Sequence, residues 1–291
     1  MDESREKVVW TPLKIIQWAV PFLAQKGIPN PRLDAELLMA HALKLDRLKV
    51  YLQFDRPLDP QELTVIREFL KRRSRHEPIQ YITGEREFFG ISFKVGPGVL
   101  IPRPETELLV EKALEHLKGL PEDKRIVLDL GTGSGCIALS IAKNIVCKVW
   151  AVDISEKALE IARFNSQNLG LTHIQWRQGH WFKALNKEDP SQFGLIVSNP
   201  PYIPFSENGE MAPEIKDFEP PEALFADNQG MKAYEELGEG LKNCLFNGGA
   251  VLLEIHSQSY EKASALFKAD FGRQTLFRDL QGLPRVIRLD P

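Results

Sequence analysis

The chain is poor in cysteine and contains no long hydrophobic run. Its three cysteines, Cys136, Cys147 and Cys244, lie far apart and form no CxxC pair, so neither a disulfide framework nor a zinc knuckle is expected. No apolar stretch approaches the roughly 18 residues of a transmembrane helix. The charged opening MDESREKVVW lacks the apolar core of a signal peptide. These absences predict a cytoplasmic protein of a reducing compartment.

An excess of charge of one sign is also missing. The 37 Lys and Arg residues nearly balance the 40 Asp and Glu residues, which leaves a net charge of −3. A protein that grips a polyanion over its whole surface is usually more basic than this, so bulk nucleic-acid binding is disfavoured, although a local basic patch is still allowed. With 291 residues, of which 43% are hydrophobic, the chain can build a full core in one large domain or two ordinary ones.

The sequence changes character twice. Residues 1–83 show helical periodicity and predict a small all-helical domain, in which Pro21 kinks or breaks the first helix. Start signals for its helices are Thr11-Pro12, Asn30-Pro31 and Asp59-Pro60. Residues 84–104 mix apolar residues with Gly and Pro, which is typical of a hairpin linker. Over residues 105–291, short apolar runs alternate with helices and end in a closing hairpin, which predicts a doubly wound, mostly parallel α/β sheet.

A glycine-rich loop follows the first strand of this predicted sheet. In DLGTGSG (Asp129–Gly135) the glycines allow a tight turn and a close approach of a ligand to the backbone. The next strand ends at Asp153, whose carboxylate can accept hydrogen bonds from both hydroxyls of a ribose. A dinucleotide fingerprint would have glycine or alanine where this chain has Cys136. The pattern favours S-adenosylmethionine over NAD, and the alternative is a plain glycine turn beside a solvated aspartate.

A second candidate site follows a later strand. The run LIVSNPPY ends that strand in a rigid turn, next to the glycine loop if ligands bind at the carboxyl ends of the strands. Pro200 and Pro201 fix the backbone and donate no hydrogen bond, whereas the Asn199 side-chain oxygen and the Pro200 carbonyl are acceptors. Two acceptors at a fixed separation suit a planar NH₂ group, an exocyclic base amine or a carboxamide, with the ring of Tyr202 against its face. In the alternative interpretation, Asn199 caps its own backbone and Tyr202 is a core residue.

Several segments together resemble one family. IPRPETE, just before the glycine loop, is the most specific of them, whereas NPPY is shared with DNA adenine methyltransferases. The segments are NPRLDAELLMAHAL, PIQYITGEREFFG (Pro78–Gly90), IPRPETELLV (Ile101–Val110), DLGTGSG, SNPPY, FEPPEALFA (Phe218–Ala226) and LLEIH (Leu252–His256). In this order they resemble the peptide chain release factor glutamine methyltransferases, which methylate the side-chain amide of the glutamine in the Gly-Gly-Gln loop of class 1 release factors.

The resemblance implies a fold, a reaction and a partner. The fold is a class I, Rossmann-like methyltransferase domain over residues 105–291, joined by the hairpin linker at 84–104 to a helical domain at 1–83 that recognises the substrate. The enzyme would transfer a methyl group from S-adenosyl-L-methionine, leaving S-adenosyl-L-homocysteine, to a class 1 release factor and so tune translation termination. The reaction requires no direct contact with nucleic acid, no membrane and no metal, and we expect a monomer.

The resemblance also implies roles for individual residues. Those that would hold the cofactor are Gly131, Thr132, Gly133, Ser134, Gly135, Asp153, Trp181 and Asn199. Those that would bind the substrate are Leu100, Arg103, Asn199, Pro200, Pro201 and Tyr202. Asn199 and Pro200 would carry the catalytic step by accepting the two amide hydrogens of the glutamine, with Leu100 facing the methyl group. No general base is required before transfer, because the methylated nitrogen loses its proton readily.

Two positions depart from the family pattern. At position 180 the family usually has an acidic residue, suited to accept from the adenine amine. This chain has His180, whose neutral ring offers one acceptor nitrogen. At position 256 the family usually has glycine, and this chain has His256. The first departure affects the adenine contacts, and neither affects the geometry of methyl transfer.

Two other functions stay open from the sequence alone. One is a nucleic-acid enzyme that methylates an exocyclic amine, against which the acidic net charge counts. The other is a sensor that binds S-adenosylmethionine without catalysis, for which an NH₂ clamp would have no use. The basic run Lys71–Arg75 is interpreted as a solvated helix end, with contact to a release factor or ribosomal RNA as the alternative.

Overall fold

The computed structural model describes residues 9–291, so all but the last two residues of the segment used to assess a signal peptide lie outside the described part. Among the described helices, none combines the length and apolar character needed to cross a bilayer. The helices and strands are α1 (Pro12–Gln25), α2 (Pro31–Leu43), α3 (Arg47–Leu52), α4 (Pro60–Arg73), α5 (Ile79–Thr83), β1 (Glu85–Phe88), β2 (Ile91–Lys94), α6 (Glu107–Lys118), β3 (Ile126–Leu130), α7 (Cys136–Asn144), β4 (Lys148–Asp153), α8 (Glu156–Asn168), β5 (Gln175–Gln178), β6 (Phe193–Ser198), β7 (Ile203–Pro204), α9 (Pro213–Lys216), α10 (Pro221–Leu224), β8 (Phe225–Ala226), α11 (Lys232–Leu241), β9 (Leu245–Glu254), α12 (Tyr260–Phe267), β10 (Arg273–Arg278) and β11 (Pro284–Asp290).

The chain divides into two compact units. One, the helical unit, contains the described residues up to Gly84 together with Pro213–Phe218. The other, the sheet unit, contains Glu85–Ala212 and Glu219–Pro291. The helical unit is therefore made of two separate stretches of sequence, the second of which carries α9.

The helices α1, α2 and α4 begin at the predicted prolines, and two of the three predicted caps form, whereas the Asn30 side chain makes no capping hydrogen bond. The Thr11 side chain accepts from the Lys14 amide at the start of α1, and Asp59 with Glu62 forms a reciprocal capping box at the start of α4. Of the predicted kink or break at Pro21, the break is wrong, because α1 runs through this residue to Gln25. Proline removes one backbone hydrogen bond, and the completely buried Ala19 and Leu23 on either side hold the helix in place through packing.

The basic run at the end of α4 is partly internal. Arg73 is 4% exposed, and its Nε donates to Asp34 Oδ2 of α2 at 2.6 Å. Its Nη2 donates to Glu214 Oε2 of α9 at 2.8 Å, so this arginine joins the two stretches of the helical unit. Arg72 is paired with Glu77. The interpretation of this run as a solvated helix end is therefore wrong for Arg73, whose charge is used inside the unit.

A seven-stranded sheet organises the sheet unit. Its strand order is β10-β11-β9-β6-β3-β4-β5, and all neighbours are parallel except β11, which is antiparallel to both β10 and β9. The fold predicted from the alternation of helices and strands is confirmed, including the C-terminal hairpin of β10 and β11. Between β3 and β6 the order of the strands reverses, which is where open α/β sheets bind their ligands.

Side chains of the central strands alternate between two hydrophobic clusters. In β3, Val127 packs into a cluster with α6 and α7, whereas its neighbour Leu128 packs into a second cluster with α11 and α12. Successive residues of a strand point to opposite faces, so both faces of the sheet are covered by helices. The antiparallel hairpin β1–β2 contributes Phe88 and Phe93, which are buried in the first cluster.

Candidate active site

The carboxyl ends of three neighbouring strands form the edge at which the candidate site lies. β3 pairs in parallel with β4 on one side and with β6 on the other. The last residue of β3, Leu130, is in register with Val152 of β4 and Ser198 of β6. The glycine loop, Asp153 and Asn199, which follow these residues, therefore emerge side by side at one edge.

A cavity of about 370 Å³ opens at this edge, within the sheet unit. Its size falls in the range of roughly 300–1,000 Å³ that is common for small-molecule sites. The predicted site residues that line it are Leu100, Arg103, Gly131, Thr132, Gly133, Ser134, Asp153, Trp181, Asn199 and Pro201. Thus the two candidate sites found in the sequence, the glycine loop and the NPPY turn, share one cavity.

Three predicted residues are not on this lining. Gly135 lies beneath the loop, where a Cβ would approach Leu139 to 3.0 Å, so its close packing against neighbouring side chains explains the glycine. Pro200 is buried. The hydroxyl of Tyr202 donates to Glu254 Oε1 at 3.1 Å, and burial raises its pKa. The roles of these three residues in ligand binding stay predictions.

The glycine loop is tied to the aspartate that follows β4. The Gly133 amide donates to Asp153 Oδ2 at 2.7 Å, and the Ser155 amide donates to Oδ1 at 2.9 Å. Gly133 has φ +57°, in the left-handed region that favours glycine, and a Cβ built on it meets nothing within 4 Å. The backbone of the loop thus faces open space. Burial raises the pKa of Asp153.

The residues around Asp153 fit a ribose-bearing cofactor. A carboxylate offers about four lone-pair positions, and the Gly133 and Ser155 amides each occupy one of those of Asp153. The Ile154 amide also acts on this carboxylate. The acceptor capacity that is left suits the hydroxyl groups of a ribose. The open space in front of Gly133 leaves room for the rest of a ligand such as S-adenosylmethionine.

An aromatic side chain and a carboxylate form another part of the wall. Trp181 lies beside Gly131, where a Cβ would be 3.5 Å from the indole ring, and its Nε1 donates to Glu236 Oε2 at 2.9 Å. Nε2 of His180 lies 3.2 Å from the same oxygen. The hydrogen bond from Trp181 is the main cause that lowers the pKa of Glu236. Glu236 lines the cavity and was missed from the sequence, because nothing in α11 signals that this helix faces the loop after β5.

The Asn199 side chain is fixed by a residue of the IPRPETE segment. Its Nδ2 donates to Thr106 Oγ1 at 3.3 Å. Both residues line the cavity, and Thr106 is 2% exposed. The amide group uses its donor end on the protein and leaves its carbonyl oxygen as an acceptor.

A buried carboxylate holds the remainder of the IPRP loop. Glu219, in the FEPPEALFA segment, accepts from the Ile101 amide at 3.0 Å and from Arg103 Nη2 at 2.6 Å. The Glu219 side chain is 1% exposed, whereas that of Arg103 is 29% exposed. Arg103 and Leu100 therefore lie on the cavity wall in an arrangement set by FEPPEALFA.

Comparison with known proteins finds matches for both the N-terminal helical part and the C-terminal sheet-forming part of the chain. Residues 14–84 match a family model described as PrmC N-terminal domain, and residues 121–266 match one described as a methyltransferase domain. The chain is 37% identical to a release factor glutamine methyltransferase of Rhodopirellula baltica, over 99% of both proteins. It is 44% identical to the protein of that name from Leptospira interrogans, over 79% of this chain and 83% of that protein.

A solved structure shares the fold at low identity. The T. thermophilus 16S rRNA N2 G1207 methyltransferase matches with a TM-score of 0.52 and 20% identity, over 71% of this chain and 49% of that one. The sheet and the matched domain thus make this chain a methyltransferase of the Rossmann-like class. Its identity to the curated relatives over nearly its whole length shows that it belongs to the release factor glutamine methyltransferase family. The resemblance drawn from the sequence motifs is confirmed.

Proposed function

We propose that this protein transfers a methyl group from S-adenosyl-L-methionine to the side-chain amide nitrogen of a glutamine in a class 1 peptide chain release factor. The observation that carries the proposal is the shared cavity, in which the glycine loop with Asp153 and the Asn199 amide lie on one continuous lining. Family membership supports the choice of a release factor as the methyl acceptor. The glutamine of the Gly-Gly-Gln loop is the proposed target.

The cofactor is proposed to lie along the glycine loop. Asp153 would accept from the ribose hydroxyls, and Trp181 would offer its ring to the base, since aromatic faces are common stacking partners of bases. Glu236 would accept from the exocyclic amine of the base, in place of the acidic residue that the family usually has at position 180. It lies on the cavity lining beside His180 and Trp181.

The chain's own part in the reaction is to position the acceptor nitrogen. A carboxamide nitrogen is a weak nucleophile, because its lone pair is delocalised into the carbonyl group. Bound S-adenosylmethionine supplies a reactive methyl group on its sulfonium. Asn199 Oδ1 and the Pro200 carbonyl would each accept one amide hydrogen and hold the nitrogen in line with the methyl group. Positioning of this kind can lower a barrier by roughly 7–11 kcal/mol. Asn199 is on the lining, whereas the role of the Pro200 carbonyl depends on the sequence pattern alone.

The first prediction tests Asn199. In Asn199→Ala, we expect the rate of methylation of a purified release factor to fall about 100-fold or more, while the affinity for S-adenosylmethionine changes little, because Asp153 and the glycine loop are intact. Transfer is measured with a labelled methyl donor and mapped by mass spectrometry, and affinity by calorimetry. The matched control is Asn168→Ala at an exposed position off the cavity lining.

The same assay identifies the acceptor. One added methyl group on the glutamine of the release factor is the expected product of the wild-type enzyme. Methylation of DNA or RNA in place of the release factor would contradict the proposed substrate. Full activity of Asn199→Ala would contradict the proposed role of the NPPY turn.

A further inference from the structure

Behind Asn199 lies a buried carboxylate that the proposed reaction does not use. Glu254, the last residue of β9, is 1% exposed. Its Oε1 accepts from the Tyr202 hydroxyl at 3.1 Å, and its backbone carbonyl accepts from the Tyr234 hydroxyl at 2.9 Å. Its Oε2 is buried without a hydrogen-bond partner. An unpaired buried carboxylate oxygen costs free energy, so a donor nearby is expected to turn toward it.

Thr106 is that neighbouring donor. Burial raises the pKa of Glu254, and the Thr106 hydroxyl acts against this rise as a hydrogen-bond donor. The oxygen of the same hydroxyl accepts from Asn199 Nδ2. Thr106 is the N-cap residue of α6, yet its side chain makes no capping hydrogen bond, although capping is the usual use of threonine at this position. The hydroxyl hydrogen is therefore available for Glu254 Oε2.

The direction of these hydrogen bonds determines which end of the Asn199 amide faces the cavity. An ionised carboxylate can only accept, so it orients the Thr106 hydroxyl to donate toward it. The oxygen of that hydroxyl then presents lone pairs to Asn199, so the NH₂ end of the Asn199 amide donates to it. The carbonyl end, Oδ1, is thereby left for the cavity. With a donor in the place of Glu254, the hydroxyl could point at Asn199 and the amide could turn over.

We propose that Glu254 is a positioning residue for methyl transfer, which acts through the Thr106 hydroxyl to keep the Asn199 carbonyl oxygen directed at the acceptor amide. The inference deepens the proposed function and depends on it. If the amide turned over, Asn199 would present a donor to the NH₂ group of the substrate, and two donors cannot form a hydrogen bond. Neither Glu254 nor Thr106 needs to touch the reacting atoms for this effect.

A pair of Thr106 variants tests the proposal. Thr106→Val keeps the size of the side chain and removes both its donor and its acceptor, so we expect kcat to fall about tenfold or more, with the KM for the release factor and the Kd for S-adenosylmethionine within about twofold of wild type. Thr106→Ser keeps the hydroxyl and should restore kcat to near the wild-type value. A wild-type kcat in Thr106→Val, or a loss that Thr106→Ser shares, would overturn the proposal.

A second measurement observes the amide without any reaction. In the free wild-type protein, the Asn199 side-chain NH₂ signal, assigned by its absence in Asn199→Asp, should exchange slowly with water because it donates to a buried oxygen. Thr106→Val should speed this exchange about tenfold or more, and Thr106→Ser should not. Equal exchange rates of the Asn199 NH₂ group in all three proteins would contradict the proposed chain of hydrogen bonds from Glu254 through Thr106 to Asn199. Because this experiment needs no substrate, it gives its answer even if the release factor proves not to be methylated.

Glu254→Gln tests the carboxylate itself. The carboxamide can donate to Thr106, so kcat should fall as in Thr106→Val. The charged or titratable groups around Glu254 are Tyr202, Tyr234, Arg285, Glu105 and Cys136. Burial raises the pKa of Glu254, against the effect of Arg285, so wild-type kcat should decline as the pH falls and Glu254 gains a proton. That decline should be absent from Glu254→Gln, and its persistence there would contradict the proposal. If Glu254→Gln does not fold, the two Thr106 variants decide.

Discussion

Asp129 shows how a single buried acid can control stability in this site. It opens the glycine motif at 0% exposure, and its Oδ2 accepts from the Thr132 hydroxyl at 2.6 Å and from the Ala138 amide at 3.2 Å. Its Oδ1 is buried without a partner. Burial raises the pKa of Asp129 to about 7. At lower pH the added proton gives the group a donor and removes a buried charge.

The residue-scale prediction follows from the sign of this shift. Between about pH 4, the ordinary value for an aspartate, and pH 7, the folded protein holds a proton that the unfolded chain has released. The free energy of unfolding contributed by Asp129 therefore falls as the pH rises through this interval. In Asp129→Asn this contribution is absent, so the stability of the variant relative to wild type should rise by up to about 1.4 kcal/mol per pH unit.

Urea denaturation of both proteins without cofactor, at several pH values from 4 to 7.5, measures this difference. Asp123→Asn, at an exposed position, is the matched control and should run parallel to wild type. If the free energies of unfolding of Asp129→Asn and wild type change with pH in parallel, Asp129 is ionised in the folded protein throughout the interval.

At the scale of elements, the turn before α11 supports the NPPY turn. Asn228, Gln229 and Gly230 have φ of 53°, 55° and 83°, three left-handed residues in succession. A Cβ on Gly230 would lie 2.2 Å from the Tyr202 carbonyl oxygen. Only a glycine gives the NPPY backbone this space, and the left-handed conformation favours glycine as well.

The element-scale prediction is that Gly230→Ala damages the site from outside the cavity. The methyl group has to displace the Tyr202 carbonyl, so we expect methylation to fall about tenfold or more and the free energy of unfolding to fall by about 1–3 kcal/mol. Gly272→Ala is the matched control, because Gly272 lacks positive φ and a Cβ there meets nothing within 4 Å. Equal activity of the two variants would show that the NPPY turn tolerates this displacement.

At the scale of the whole molecule, the helical unit depends on an ion-pair network between distant parts of the sequence. Arg73 bridges Asp34 and Glu214, and the Arg73–Glu214 pair spans 141 residues. The Asp34 side chain is 9% exposed. Removal of one member of a buried network leaves the other charges unpaired, at a cost of about 3–5 kcal/mol.

Arg73→Met should therefore loosen the helical unit. We expect faster amide hydrogen exchange in peptides from α2, α4 and α9, with protection lowered by about 3 kcal/mol, and little change in the strands of the sheet unit. Arg75→Met, at an exposed position of the same basic run, is the matched control. Protection equal to that of the control would contradict a stabilising role for the Arg73 network.

Much of this architecture could be predicted because its signals are local. The caps that open α1 and α4 and the prolines that open α1, α2 and α4 act within one turn of helix. The apolar runs of β3, β4 and β6 reveal buried parallel strands. Gly131, Asp153 and Asn199 could be named because glycine loops and strand ends have recognisable patterns. The structure brings these three residues to one cavity, and their roles stay predictions.

The parts of the site and fold that could not be predicted depend on contacts between segments that are distant in the sequence. The periodicity of hydrophobic residues contains no information about such contacts. Glu236 reaches the site from the middle of α11, and Glu219 from the FEPPEALFA segment. No sequence pattern marks Thr106 as a partner of Asn199, although its hydroxyl oxygen accepts from the Asn199 amide. The burial of Arg73 is invisible for the same reason, since Glu214 belongs to a remote stretch.

The divided sequence of the helical unit limits how this protein can be taken apart. A gene fragment that stops at Gly84 encodes α1–α5 without Glu214, so the guanidinium of Arg73 would lose one of its two carboxylate partners. Grafting this unit onto a homologue would thus need three junctions, one after Gly84 and one on each side of Pro213–Phe218. A chimaera with a single junction after Gly84 would combine α1–α5 of one protein with the segment at Pro213–Phe218 of the other.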